Sequence, residues 1–585
     1  MAEEKLFVRK ATGLVREIGA ITAIIIVMAN TIGLGWQKRV FQYTGLAPLP
    51  ENQYWAGIPP MTMAFIVGGI AVLLSVLAVS VLAAAMPRSG GGYVVISRII
   101  GPVWGFLAAW LEFLSIAWSF GIIAVAVFEG LYFIMGPVAF GLNFGPPAGI
   151  PTDEFLFLVG LLLVVIFTVI GVFGVKLTGL LLQAMFWVPA VLTFYVFGLL
   201  SQANNATILS GMQNVLGVTP GKYVAAATNA TLTNNLQSQV AGIGGYAGAF
   251  TTCLIGAYFA YIGYAASTFV AGEIKEANKA LPKTLAIASV LIIALYVSIS
   301  LVGAYALKGI GQVSVGGNTY SLLTAWSYLS YGGKVSLASV GLPTVKLWTT
   351  TVAGLAGSGI NLGSANVILV IFGVFWVAND IPPFILTASR ILFAMSFDRV
   401  LPAPLANVND RFHSPINAVI IVGIVAVLGC FSESTILDPG GTLNPGNNAA
   451  IAAILGSGGG VQITDFYDSF FFTLFTLSLV ILPLRASRRQ IFDTAPYKPG
   501  GKWGMLILGL AGFGANLFVD YEFVWPQGSD FGLSQINWAS STLLSDISAV
   551  IFTIVVAILG VVVYYIHRMR RGINYSTIFA QIPPE

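Results

Sequence analysis

The sequence predicts an all-α polytopic membrane protein of twelve transmembrane helices with both ends on one side of the bilayer. Composition is the first observation behind this: of 585 residues, 57% are hydrophobic and only 9% charged. A soluble protein has about a quarter charged residues, and so many apolar side chains cannot be given a water-facing cover. The second is that the mean hydropathy of +0.87 is gathered into discrete apolar runs, and the third is the distribution of lysine and arginine between those runs. The net charge of +4 lies in short stretches that form no continuous basic surface for nucleic acid. Two cysteines, Cys253 and Cys430, and two histidines, His413 and His567, leave no cluster for structural zinc or a disulfide framework. No metal box, Walker loop or nucleophile elbow is present. An ATP-driven pump with its nucleotide domain in the same chain is excluded, and no catalytic residue, metal or cofactor is expected.

A membrane-crossing helix needs about 20 apolar residues. Twelve segments qualify, near 18–36, 60–86, 99–128, 155–175, 177–201, 249–271, 284–306, 362–395, 415–431, 466–484, 503–519 and 549–566. The first follows a polar, charged stretch and precedes eleven more, so it reads as a span and not a cleaved signal. With odd-numbered gaps on one side, and even-numbered gaps and both termini on the other, the 27 lysines and arginines separate. Only Lys38, Arg39, Lys222, Lys308, Lys334 and Lys346 fall on the odd side, although it owns most of the loop length. The richer side is cytoplasmic, which puts both termini inside and requires an even number of spans. Outer loops near 202–246, 308–361 and 433–465 are rich in Gly, Ser, Thr and Asn, which suits structured caps or lids. Asn205-Ala-Thr207 and Asn229-Ala-Thr231 are outward glycosylation acceptors by pattern, while Asn574-Tyr-Ser576 falls inside.

The first span carries Asn30, Thr31, Gly33 and Gly35 at or beyond its midpoint. Backbone amides leave the helical ladder in a membrane only where something other than lipid satisfies them, and glycine permits that departure and a close approach to the main chain. Close helix packing on Gly33 and Gly35 is the competing reading. The sixth span has a similar middle, Gly256 to Thr268, with Tyr258, Tyr261, Gly263 and Tyr264. Five helices separate the two interruptions, the offset expected if spans one to five repeat as six to ten with inverted orientation. Exposed amides favour a carboxylate and exposed carbonyls an ammonium. A zwitterion uses both, which makes an amino acid the leading substrate class.

Ile32-Gly33-Leu34-Gly35 resembles the Ile-Gly-x-Gly turn in the first helix of the amino acid, polyamine and organocation transporter superfamily. Phe259-Ala-Tyr-Ile-Gly263-Tyr, followed by Glu273 and Leu281-Pro282, looks like that family's sixth helix and the loop after it. The run from Arg390 to Pro402, with Ser414-Pro415, is similar to the family's signature between helices eight and nine. The resemblance spans roughly Arg16 to Lys498 and implies an amino acid permease with a 5+5 inverted repeat of the LeuT-like kind plus two more helices, working by alternating access. It implies the layout 1–17 cytoplasmic segment, 18–201 first repeat, 202–248 extracellular loop and 249–484 second repeat. Residues 485–566 would then hold a cytoplasmic loop with helices eleven and twelve, and 567–585 a cytoplasmic tail. Substrate binding by unwound backbone passes by the same match to Asn30, Thr31, Ile32, Gly33, Leu34 and Gly35, and to Phe259, Ala260, Tyr261, Ile262 and Gly263. Two departures stand out. Glu276 and Ala277 replace the usual Asn-Pro after helix six. Helix five has no lysine beyond Lys176, with Pro189 and Ala190 near the expected position, which argues against lysine-based proton coupling.

Glu112, Glu129 and Asp380 are acids inside the spans, where a charge costs about 2.5–3.5 kcal/mol on insertion scales. Asp380 sits mid-span beside Asn379 and ahead of Pro382-Pro383, where two prolines remove helical donors. Asp380 and Glu112 are the candidates for proton or ion coupling; for each, a neutral or hydrogen-bonded acid that holds helices together is the alternative. The expected function is secondary active transport of an amino acid across the plasma membrane by a non-enzyme, through proton-coupled symport or exchange. Sodium coupling, which needs only hydroxyl and carbonyl oxygens, and a polyamine or other organic-cation cargo stay as alternatives. A channel or nontransporting receptor is the reading from another class.

Overall fold

A computed structural model of the chain describes residues 7, 12–135, 138–139, 142–143, 146–229, 235–332, 340–342, 348–357, 362–438, 441–443, 449–456, 459–485, 489–526, 531–540, 543, 547–569 and 575–584. Eleven helices among them are long and apolar enough to cross a membrane, and each falls on one of the eleven segments after the first. The protein is an all-α, multi-pass membrane protein with short hairpins only in its loops (Val313–Val315 with Asn318–Tyr320, for example). Lys334, Lys346, Thr231 and Asn574 lie outside the described residues, and so does the side chain of Glu129.

The first segment is the exception in length. Its regular helix, Ala20–Ala29, has 10 residues, too short to span alone. After a turn the chain resumes as a wide-wound π turn, Gly35–Arg39, and then a helix, Val40–Leu46. The span therefore ends ten residues beyond the Trp36 boundary read from hydropathy. Lys38 and Arg39, read above as loop charges, are buried in it. The eighth span is also bent. Leu362–Ala378 stops at Asn379-Asp380 and Ile381–Phe397 resumes with Pro382 and Pro383 in its first turn, where missing amides cost nothing because they have no intrahelical acceptor.

The third, sixth, eighth and tenth spans are buried along most of their length, whereas the fourth and twelfth expose most of theirs. Phe194, Leu162, Ile287, Ile507 and Ile558 stand out from the bundle, an apolar exterior that water does not cover favourably.

On the side of the first span's start, two buried ion pairs fasten the bundle. Arg390 Nε and Nη2 donate to Glu273 Oε1 and Oε2 at 2.8 and 3.0 Å. Arg98 Nη2 donates to Asp398 Oδ1 at 2.8 Å, and Tyr93 Oη donates to Oδ2 at 2.8 Å. Burial, and then the Asp398 charge, push the Tyr93 hydroxyl well above its ordinary range, so it stays a donor. Arg98 and Arg390, counted above as cytoplasmic loop charges, are thus internal. The strand-like segment after the sixth span bonds the first span's entry, Ile18 N to Glu273 O at 3.0 Å and Lys275 N to Ile18 O at 2.9 Å. The end of the chain docks here too: Arg98 lies 5.1 Å from the Phe579 ring, and Arg88 Nε donates to Pro583 O at 2.7 Å. On the opposite side the long loops form helical caps, among them Asn205–Gly211, Pro220–Ala227 and Trp348–Ala356.

Candidate functional site

The interruptions of the first and sixth spans meet. In the first, Ile32 N still donates to Met28 O at 2.7 Å and Thr31 Oγ1 to Val27 O at 2.8 Å. The second half starts afresh at Leu34-Gly35, and the first amides of a new helix have no acceptor within it. The sixth span is helical over Gly245–Tyr261 and leaves that path at Ile262 (ψ 136°). Gly263 follows at φ +95°, a region that favours glycine. Beyond it the chain continues as short turns, Ala266–Thr268 and Ala271–Glu273, so the rest of this span is not a regular helix.

The first-span glycines serve close packing. A Cβ on Gly35 would overlap Ala260, one on Gly263 would overlap Asn30, and one on Gly33 would overlap the Asp380 carboxylate. Glycine is therefore required for close approach, and what approaches is the other broken helix or the acid of the eighth span. Two side chains from elsewhere tie the arrangement down. Asn379 Nδ2 donates to Ile32 O at 3.1 Å. Tyr296, from the seventh span, sets its hydroxyl against the carbonyls of Thr31 and Ala260, the latter at 2.7 Å. Tyr296 carried no signal in the sequence, being one aromatic residue in a long apolar run.

Between these elements lies a nearly closed cavity of about 10 Å³, lined by Asn30, Thr31, Leu34, Gly35, Ser119, Ile123, Phe259, Ile262, Asp380 and Phe384. That is room for about one water, so the site is tightly closed in this conformation. Three buried oxygens here lack a hydrogen-bond partner: Asn30 Oδ1, Ser119 Oγ and Asp380 Oδ1. Buried polar atoms are rarely left unpaired, so a cavity lined by three of them suits a ligand that supplies donors. Of the residues singled out in the sequence, Asn30, Thr31, Leu34, Gly35, Phe259, Ile262 and Asp380 line this space. Ile32, Gly33, Ala260 and Gly263 stand behind it and hold the two breaks together. Tyr261 turns away and donates to Phe65 O at 2.8 Å. Glu112 is fully buried outside the cavity lining. Pro189 is buried within the fifth helix, and Ser119 and Phe384 were not foreseen.

The two ends of the cavity differ. Toward the loop caps, Lys38 Nζ lies 2.5 Å from Glu433 Oε1 and Arg39 Nη2 lies 3.1 Å from Oε2. The Arg39 guanidinium also stacks 4.8 Å from the Phe259 ring, a cation–π contact onto the cavity wall. Gln37 and Thr350 join this closure to the outer cap at 2.8 Å. Toward the first span's start, a cleft of about 520 Å³ opens among Glu17, Ile26, Phe173, Lys176, Gln183 and Leu386. Among the described residues no group of three metal-ligating side chains occurs.

Comparison with known proteins gives a concordant result. The sequence model of a family described as "Amino acid permease" matches residues 18–575. The chain is 24% identical over 564 residues to the serine/threonine exchanger SteT of Bacillus subtilis (strain 168), covering 96% of this chain and 98% of that protein. It is 25% identical over 426 residues to the branched-chain amino acid permease BcaP of the same organism, covering 71% of this chain and 74% of that protein.

Proposed function

The chain belongs to the amino acid permease family, and from that premise we propose that it carries a small neutral amino acid across the plasma membrane by alternating access. The cargo sits in the cavity where the first and sixth spans break. The observation that carries this is the pairing, in one small space, of new-helix amides at Leu34-Gly35 with the unpartnered oxygens of Asn30, Ser119 and Asp380. The amides suit a carboxylate and the oxygens an ammonium. Ile123, Phe259, Ile262 and Phe384 give the rest of the wall an apolar character, which suits a short side chain. The printed activities of the two relatives, a serine/threonine exchanger and a branched-chain amino acid permease, support the same substrate class.

In this reading, residues 18–201 and 249–484 are the two inverted repeats, 485–566 adds two helices, and both termini are cytoplasmic. The Lys38/Arg39–Glu433 cluster then closes the outer path while the cleft beside Glu17 and Gln183 faces the cytoplasm. Asp380 receives the substrate ammonium directly. The same unpaired carboxylate supports a second reading, in which the cargo is a polyamine or another organic cation.

Ligand-dependent melting in detergent separates the two. Cys253 and Cys430 are free and buried, so a thiol-reactive dye reports unfolding. A ligand at about 100 times its dissociation constant adds about 2.7 kcal/mol of stability. Serine, threonine or a branched-chain amino acid is expected to raise the melting temperature accordingly, and putrescine is not. The opposite pattern would move the organic cation to the front.

A further inference from the structure

Glu112 of the third span and Asp468 of the tenth are both buried, 1% exposed, and neither lines the cavity. The two helices pack antiparallel: Gly460 faces Trp118 and Ser115 Oγ donates to Thr464 O at 2.8 Å. Glu112 is one turn before Ser115 and Asp468 one turn after Thr464, which brings the two residues to the same level of the interface. Glu112 Oε2 has no hydrogen-bond partner. Asp468 Oδ2 accepts from Tyr258 Oη at 3.0 Å.

The groups facing the pair are Tyr258 and Tyr264 of the sixth span and Asp520 of the eleventh. Tyr264 Oη is paired with Ser75 Oγ at 2.9 Å, and Asp520 accepts from Ser469 and, at 2.6 Å, from Thr473 Oγ1. Among the described residues no lysine, arginine or histidine forms an ion pair with Glu112, Asp468 or Asp520.

We propose that Glu112 and Asp468 share one proton and are the seat of proton coupling, apart from the cavity where Asp380 meets the cargo. Two carboxylates in a low-dielectric site with no counter-cation cannot both ionise, so the pair holds a proton, and the unpartnered Glu112 oxygen is where it is placed or withdrawn. The state of the pair reaches the transport path through Tyr258. This residue lies one turn before Tyr261-Ile262, where the sixth span breaks, and its hydroxyl donates to Asp468. A proton gained or lost at Asp468 changes that bond and so the hold on the broken helix.

This inference rests on the reading of the chain as an amino acid carrier, and its test keeps the two apart. Purified protein is reconstituted in liposomes with an internal pH dye, and labelled serine, threonine and leucine are followed in counterflow and under an imposed pH gradient. Wild-type protein is expected to accumulate one of them down the proton gradient with internal acidification. Asp468→Asn and Glu112→Gln are expected to keep counterflow within about threefold while losing proton-driven accumulation, with exchange flat over about pH 5 to 8. Tyr258→Phe is expected to keep counterflow and lose most proton-driven accumulation, because the hydroxyl that links Asp468 to the broken helix is gone. Proton-driven accumulation by Asp468→Asn and Glu112→Gln, loss of counterflow together with accumulation, or wild-type counterflow without proton movement would each overturn the assignment. No counterflow by the wild type with any amino acid would overturn the carrier reading beneath it.

Discussion

Gly33→Val is expected to lower amino acid uptake by about 100-fold with the protein still folded. The cause is steric and not conformational: Gly33 is absent from the positive-φ residues, so any amino acid can take its backbone angles. What it lacks is room, since a Cβ would sit on the carboxylate of Asp380. Overpacking a buried contact costs about 1–3 kcal/mol, and here the group pushed aside is the acid lining the cavity. Uptake by the Gly33→Val and Gly33→Ala proteins, with surface amount measured in parallel, checks the effect. A double replacement shows its origin. In an Asp380→Ala background, Gly33→Ala is expected to add little further loss, because the two residues share one contact and such effects do not add. Independent, additive losses would place the importance of Gly33 elsewhere.

Glu433→Gln is expected to open the cavity toward the loop caps. Glu433 holds two cations, Lys38 and Arg39, and all three side chains are buried. Removing one partner of a buried ion pair costs about 3–5 kcal/mol because the remaining charge stays desolvated. The outer half of the first span can relieve that cost by moving Lys38 and Arg39 into water. That shifts the closed and open populations by about 100- to 4,000-fold, at 1.4 kcal/mol per factor of ten. Ser119 lines the cavity, so the labelling rate of a Ser119→Cys protein by an impermeant maleimide, added from the Glu433 side, reads the opening. The rate is expected to rise steeply with Glu433→Gln and to return when Lys38→Met and Arg39→Met are added, because an apolar replacement leaves no uncompensated charge. An unchanged rate would show that this cluster does not close the path.

Much of the fold was legible because the bilayer imposes one strong rule, a long apolar run for each crossing. Eleven of the twelve segments became helices long enough to cross and the first became a 10-residue helix with a break after it, and the two positions expected to interrupt them did so. Asn30 to Gly35 broke because glycine there admits Ala260 and Asp380, and Ile262-Gly263 because Gly263 takes φ +95°. Asp380 was legible from its prolines, which remove donors and mark where the eighth span restarts. What composition could not show was which charges pair through space. Lys38 and Arg39 looked like loop residues because their partner, Glu433, is nearly four hundred positions away. Arg98 and Arg390 looked like exposed loop charges for the same reason, with Asp398 and Glu273 distant in the chain. Asp468 and Asp520 passed unnoticed since each sits in a run otherwise apolar enough to cross, and only packing against Tyr258, Ser469 and Thr473 sets them apart. Tyr296 is similar: its importance lies in the two carbonyls it meets.

The most direct test of the cavity between the first and sixth spans as a carrier site is counterflow in proteoliposomes. Labelled serine, threonine, leucine and valine are tested singly against an internal excess of the same unlabelled compound. Saturable accumulation of one of them, abolished by Gly33→Val and requiring no imposed ion gradient, is the predicted result. Folded protein that shows no counterflow with any amino acid, or flux that does not saturate and shows no trans-stimulation, would contradict it.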